Sequence, residues 1–250
     1  MRIFTISDLH VDYKENLNWV NGISDFDFKN DALIVAGDIS DKITIVASIF
    51  KKLKNSFKYV FFVPGNHDLW VRDDCADNSV EKFQILIKLA EEFGVHTEEV
   101  SFNKIRIVPL FGWYDYSFGL PSEKLHSIWN DYAYCVWPDD FDYFHITEMF
   151  TNLNKVRQKN DGEHLISFSH FLPSIDVMPS FIPDSRKFIY PVLGSELIGE
   201  QVLDMRSDIH IYGHSHVNNR IKIGETLYIN NAYGYPSEKN ICSKKLVQVL

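Results

Sequence analysis

An α/β fold built on largely parallel strands is predicted by three features of the sequence. Short apolar runs rich in Val, Ile and Phe occur at Ile3 to Ser7, Ala32 to Ala36 and Tyr59 to Val63, and each leads straight into polar or Gly-containing turn residues. Runs of this kind read as strands buried on both faces. Between the second and third, Ile43, Val46, Ala47, Phe50 and Leu53 recur at helical spacing, with Ser40 or Asp41 placed to cap the start. Finally, 250 residues of 45% hydrophobic and 24% charged composition suffice for one large core, so a single domain over residues 1–250 is expected.

The later elements follow in order. A helix is expected from about Val80 to Phe93, with Phe83, Leu86, Ile87 and Ala90 on one face and Gly94 as its stop. Strands are expected at Val95 to Thr97 and Ile105 to Leu110. Residues 111–160 then carry a dense aromatic group, including Trp113, Tyr114, Trp129 and Tyr132, and a helix from about Ile146 to Lys159. This stretch reads as an insertion flanking a site. Glu163 to Ser169 is another buried strand. Phe171 to Leu193 holds four prolines and little periodicity, so 171–193 reads as a functional loop. A helix at Ser195 to Met205 and strands at Ile209 to Tyr212, Val217 to Ile223, Thr226 to Ile229 and Leu246 to Val249 complete the chain.

Composition excludes several classes. No apolar stretch approaches the roughly 20 residues needed to span a bilayer, so no membrane partner is expected. The N-terminus enters a strand at once, leaving no room for a cleavable signal, and a cytoplasmic location is expected. Cys75, Cys135 and Cys242 show no CxxC spacing and read as reduced thiols. A net charge of −9 argues against a stable nucleic-acid complex, which needs clustered Lys and Arg.

Five polar clusters carry the chemistry: Asp8-Leu9-His10, Gly37-Asp38, Gly65-Asn66-His67-Asp68, His170 and Gly213-His214-Ser215-His216. Singly, each describes an ordinary turn or a hydrogen-bonded histidine. Together they place carboxylate, amide and imidazole donors at strand ends, bringing Asp8, His10, Asp38, Asn66, His67, His170, His214 and His216 to one edge of one sheet. Two cations about 3.5–4 Å apart need such a set, and its oxygen and nitrogen donors suit Mn²⁺, Fe or Zn²⁺. The remaining histidines, His96, His126, His145, His164 and His210, read as surface or core residues.

On these residues the chain resembles the calcineurin-like metallophosphoesterase superfamily, whose pattern runs D-x-H, GDxxD, GNH(D/E), a lone H and GHxH. The resemblance implies a four-layer α/β/β/α sandwich with two central mixed sheets. It implies that Asp8, His10, Asp38 and His216 hold one of two metal ions, divalent or trivalent, with Mn foremost and Fe or Zn also suited. Asp38 would bridge to the second, held also by Asn66, His170 and His214. His67 would face the substrate, with Asp68 orienting it, and Asp41 would be a helix cap or an outer partner.

The substrate is a separate question from the site. Lys42 stands where protein phosphatases of the superfamily carry an Arg, and His67 where lipid A pathway pyrophosphatases carry one. A phosphodiesterase acting on a small soluble molecule such as a nucleotide is the reading favoured. A phosphomonoesterase of the same fold and a metal-stabilised scaffold are the alternatives. Trp70, Arg72 and Arg186 are the candidate substrate contacts.

Overall fold

The structure, a computed structural model, describes residues 1–72 and 76–250; Cys75 lies outside the described residues. In chain order the elements are β1 (Ile3–Ile6), α1 (Lys14–Asn21), β2 (Ala32–Ala36), α2 (Ile43–Ser56), β3 (Tyr59–Val63), α3 (Ser79–Glu92), β4 (Val100–Phe102) and β5 (Ile105–Pro109). Then come α4 (Glu123–Ile128), α5 (Asp131–Tyr134), α6 (Tyr143–Thr151), β6 (His164–Phe168), α7 (Glu196–Met205), β7 (Ile209–Tyr212), β8 (Asn219–Ile223), β9 (Thr226–Asn230) and β10 (Val247–Gln248).

Two mixed sheets form the centre. One has the order β10-β1-β2-β3, the other β4-β5-β6-β7-β9-β8. In the first, β1, β2 and β3 are parallel and β10 runs antiparallel beside β1. In the second, β5, β6, β7 and β9 are parallel, with β4 and β8 as antiparallel edges. Strand alternation sorts the side chains into layers. Ile3, Ala32, Ile34, Ala36, Phe61 and Val63 of the first sheet pack against Ile107, Ile166, Phe168, Ile209 and Ile211 of the second. The opposite faces, carrying Phe4, Leu33, Val35, Val60 and Phe62, pack under helical residues such as Val46, Phe50 and Leu53 of α2. Both faces of β2 and β3 are therefore apolar, which is why these two strands read as unbroken hydrophobic runs.

Several boundaries differ from expectation. Helix α2 starts at Ile43 with Lys42 as its N-cap and no cap bond from that side chain, while Ser40 Oγ, two residues earlier, accepts the Lys42 N–H at 3.1 Å. The Ser40 hydroxyl donates to Asp12 at 2.8 Å, and Asp41 pairs with Arg72 at 3.2 Å. Val95 to Thr97 forms only an isolated bridge between His96 and Phe61, and the edge strand lies later, at β4. Helix α6 ends at Thr151 rather than near Lys159. Helix α1 was not anticipated. The 171–193 stretch contains two 3-10 segments, Ile175–Val177 and Asp184–Val192. Among the described residues, no helix is long and apolar enough to cross a membrane.

Candidate metal centre

All five clusters follow the carboxyl ends of parallel strands, but of two sheets rather than one. Asp8 and His10 follow β1, Asp38 follows β2, and Asn66 and His67 follow β3; His170 follows β6, and His214 and His216 follow β7. The two histidines of the last cluster sit in a turn, not on a strand. Left-handed backbone gathers here at non-glycine positions: φ is 53° at Asp8, 40° at His10, 59° at Asp38, 65° at His214 and 52° at His216. Such conformations cost about 1–3 kcal/mol each and persist where the surroundings enforce them, typically at functional sites. The glycines are spacers for the same reason. A Cβ on Gly37 would overlap the His170 ring, and one on Gly65 would overlap the Asp38 carboxylate.

Among the described residues, three groups of donor atoms converge, each within 4.8 Å: Asp8, His10 and His216; His10, Asp38 and His67; Asp38, His170 and His214. Asp38 lies between the first and third, with Oδ2 3.7 Å from His10 Nε2 and Oδ1 3.5 Å from His170 Nε2. The orientation of each ring is set from outside. His170 Nδ1 donates to the Ala36 carbonyl at 2.8 Å, and His214 Nε2 to the Val192 carbonyl at 2.9 Å. A carbonyl can only accept, so in the neutral rings the inner nitrogens carry no proton. These bare nitrogens, His170 Nε2 and His214 Nδ1, face each other at 3.1 Å, and Asn66 Oδ1 lies 3.1 Å from the former. The Asn66 amide nitrogen is turned away, donating to Asp131 Oδ1 at 2.8 Å. Lone pairs from His170, His214 and Asn66 meet with no hydrogen between them, beside the Asp38 carboxyl. That arrangement is repulsive in itself and fits a cation.

The electrostatics agree. Burial, then the neighbouring Asp68 and Asp8 carboxylates, pushes the Asp38 carboxyl well above the usual range. His214 is pushed down to about 3 by burial and the adjoining His170, and burial also lowers His170. Burial opposes the charged forms of Asp8 and His216 too, but their mutual attraction outweighs it. Asp8 moves down, and His216, supported further by Glu238, moves up to about 9. His216 Nδ1 lies 2.7 Å from Glu238 Oε2, leaving Nε2 directed at Asp8 and His10.

The sequence profile of calcineurin-like phosphoesterases matches residues 1–218. The chain belongs to the calcineurin-like phosphoesterase family. Members of this family depend on a dinuclear metal centre, and the donor groups above meet that requirement. Among curated relatives, this phosphoesterase is 33% identical over 125 residues to [acyl-carrier-protein] phosphodiesterase PptH of Mycobacterium tuberculosis. The match takes in 46% of this chain and only 38% of that relative's length. It is also 24% identical over 272 residues to the uncharacterized protein L509 of Acanthamoeba polyphaga mimivirus, covering 96% of this chain and 94% of the other. The crystal structure of phosphopantetheinyl hydrolase (PptH) from M. tuberculosis shares the fold, with TM-score 0.82 and 22% identity over 100% of this chain and 95% of that one.

Not every expected residue of this phosphoesterase takes its expected place. Asp68 does not orient the His67 ring. Its two oxygens accept backbone N–H groups of Asp38, Ile39, Ser40 and Gly65 at 2.8–3.1 Å, so it ties the second cluster to the third. Trp70 does reach the cavity, but it also supports His67, with ring centroids 3.6 Å apart, and its Nε1 donates to Asp131 at 2.6 Å. Arg72 lines an adjoining cavity, paired with Asp41 and set over the Tyr134 ring. Arg186 is exposed on the 3-10 segment, whose Ile189 lines the cavity instead. Asp131 and Glu238 were missed. Asp131 sits in an ordinary Trp-Asn-Asp stretch, and Glu238 lies beyond the last motif; no local pattern marks either.

Proposed function

We propose that this calcineurin-like phosphoesterase is a phosphodiesterase working with two divalent cations, Mn²⁺ foremost. Asp8, His10, Asp38 and His216 would hold one, and Asp38, Asn66, His170 and His214 the other. The donor set contains oxygen and imidazole nitrogen and no thiolate, which suits such ions. Bound there, they supply Lewis-acid activation of water near neutral pH and positive charge against the phosphoryl oxygens. The rest falls to the chain. His67 stays partly open to the cavity, yet burial and then the neighbouring His10 and His216 hold its pKa well below the usual histidine value. It is therefore a neutral imidazole with one N–H to offer a phosphoryl or leaving oxygen. The Tyr235 hydroxyl, 3.3 Å from His67 Nε2, is kept protonated by burial and by Asp38, so it is a second donor in the same space.

One observation carries the diester reading: His67, Trp70, Asn130 and Tyr235 line two cavities at once. The first, about 240 Å³, also has Trp129, Ile189 and Leu193 in its wall. The second, about 360 Å³, has Asp12, Asp41, Lys42 and Arg72. A phosphorus atom at the junction can carry one ester arm into each, whereas a monoester fills only one. The name of the M. tuberculosis relative supports a particular diester, that joining a phosphopantetheine arm to a carrier protein. The partly apolar first cavity suits such an arm. A reducing cytoplasm suits the free thiols Cys135 and Cys242.

Intact-mass measurement of a phosphopantetheinylated carrier protein, incubated with the Mn²⁺-loaded enzyme, tests this. Loss of the phosphopantetheine mass is expected. An unchanged carrier alongside cleaved nucleotide diesters would move the substrate to nucleotides.

A further inference from the structure

Asp131 lies outside every strand-end cluster, at the first position of α5 in the aromatic-rich stretch, and it is 1% exposed. Its carboxylate accepts three hydrogen bonds from neutral donors. Asn66 Nδ2 and Trp70 Nε1 reach Oδ1 at 2.8 and 2.6 Å, and Trp129 Nε1 reaches Oδ2 at 2.8 Å. Burying a carboxylate is costly unless its lone pairs are filled, so three donors aimed at it make a built arrangement. Two of the three belong to the site. Holding the Asn66 amide nitrogen turns Asn66 Oδ1 toward His170 Nε2, and without an acceptor there the amide is free to present its NH₂ to the same space. Holding the Trp70 indole fixes the ring that backs His67. Trp129, the third donor, is itself a cavity wall, 5.8 Å from the His214 ring.

We infer that Asp131 is a positioning residue for the candidate centre: through Asn66 it sets the oxygen offered to the cation held by Asp38, His170 and His214, and through Trp70 it sets His67. The inference rests on the dinuclear reading proposed above. It gives the 111–160 stretch a role in the chemistry as well as in shaping the cavity. It also explains a fully buried acid in a segment otherwise rich in aromatics.

The test is calorimetric titration of metal-stripped protein with Mn²⁺ alone, comparing wild type, Asp131→Asn, Asn66→Ala and the double variant. An Asn at 131 presents an NH₂ to at least one of the three donors, so the network opens. Loss of a group that orients a metal ligand typically costs about 10–100-fold in metal affinity. Asp131→Asn is expected to weaken Mn²⁺ binding on the Asn66 side of the pair by that factor and leave the Asp8 side near wild type. In the Asn66→Ala background the same change should cost little further Mn²⁺ affinity, because the route through Asn66 is already gone. With bis-p-nitrophenyl phosphate, kcat should fall with KM little moved. A purely structural role would lower Tm equally in both backgrounds and spare Mn²⁺ affinity; that result, or wild-type binding by Asp131→Asn, overturns the inference. If Asp131→Asn does not fold, Trp129→Phe removes only the donor to Oδ2 and frees the carboxylate to turn. A same-direction fall in Mn²⁺ affinity is then expected, and wild-type affinity overturns the inference. Wild-type protein that takes up no Mn²⁺ would instead sink the dinuclear reading itself.

Discussion

The indole of Trp70 lies against the imidazole of His67, with ring centroids 3.6 Å apart and planes 31° from parallel. On its other side His67 meets His10 edge-on at 4.6 Å. The ring is thus held between the metal-ligand candidates and an anchored wall, without itself completing either of the two ligand sets proposed. Replacing it should remove a donor and leave the ions in place. Loss of one such transition-state donor typically costs about 10²–10³ in rate. His67→Ala is expected to lower kcat by that factor while metal content, read by atomic emission after gel filtration, stays at the wild-type value.

Asp38 should behave differently, because it reaches both donor groups. Asp38→Ala is expected to lose both ions and all measurable turnover. His170→Ala, whose ring faces only the Asp38, Asn66 and His214 group, should retain one ion per chain. Metal counts on the two purified variants separate these outcomes. An Asp38→Ala protein with both ions bound would remove the shared-ligand assignment.

Glu238 fixes the His216 ring through Nδ1 at 2.7 Å. Glu238→Gln keeps the size of the side chain but can present an NH₂ to that nitrogen and loses the charge. A fall in Mn²⁺ affinity of about 10–100-fold is expected, measurable by titration with a competing chelator.

Acid stability provides a test away from the centre. His210 is fully buried between the Ser167 and Ser169 hydroxyls, at 2.8 and 3.1 Å, and burial pushes it down to about 3 from 6.5. Between those values the unfolded chain holds a proton at this position and the folded chain does not. Stability therefore falls as pH drops below 6.5, and His210 contributes no slope above it. A His210→Gln variant should show a shallower loss of stability between about pH 6.5 and pH 4, by as much as ~1.4 kcal/mol per pH unit. Urea unfolding of both proteins at several pH values would show it. Parallel slopes would mean that His210 is protonated in the folded state.

The strand-end clusters were legible because each is local: a buried apolar run, a turn and a donor lie within a few residues, as at Val35 to Asp38 or Val63 to His67. The residues that orient those donors were not. Asp131 acts on Asn66 from 65 positions away and Glu238 on His216 from 22, and neither pairing leaves a periodic trace. Asp68 was assigned to the imidazole beside it in sequence, whereas the turn directs its carboxylate back to the amides of the neighbouring cluster. The start of α2 moved for a related reason, since Ser40 is drawn to Asp12 and its amide to Asp68. Arg186 shows the limit of reasoning from composition. A cation in a site-flanking segment reads as a phosphate contact, but that segment exposes it and turns the half-buried Ile189 toward the cavity instead.

The measurement closest to the centre of this account is a Mn²⁺ titration of metal-stripped protein, following hydrolysis of bis-p-nitrophenyl phosphate and of p-nitrophenyl phosphate in parallel. Turnover should be absent at the start, rise to a plateau at two equivalents of Mn²⁺ per chain, and favour the diester. Full turnover without metal, a plateau at one equivalent, or a clear preference for the monoester would contradict it.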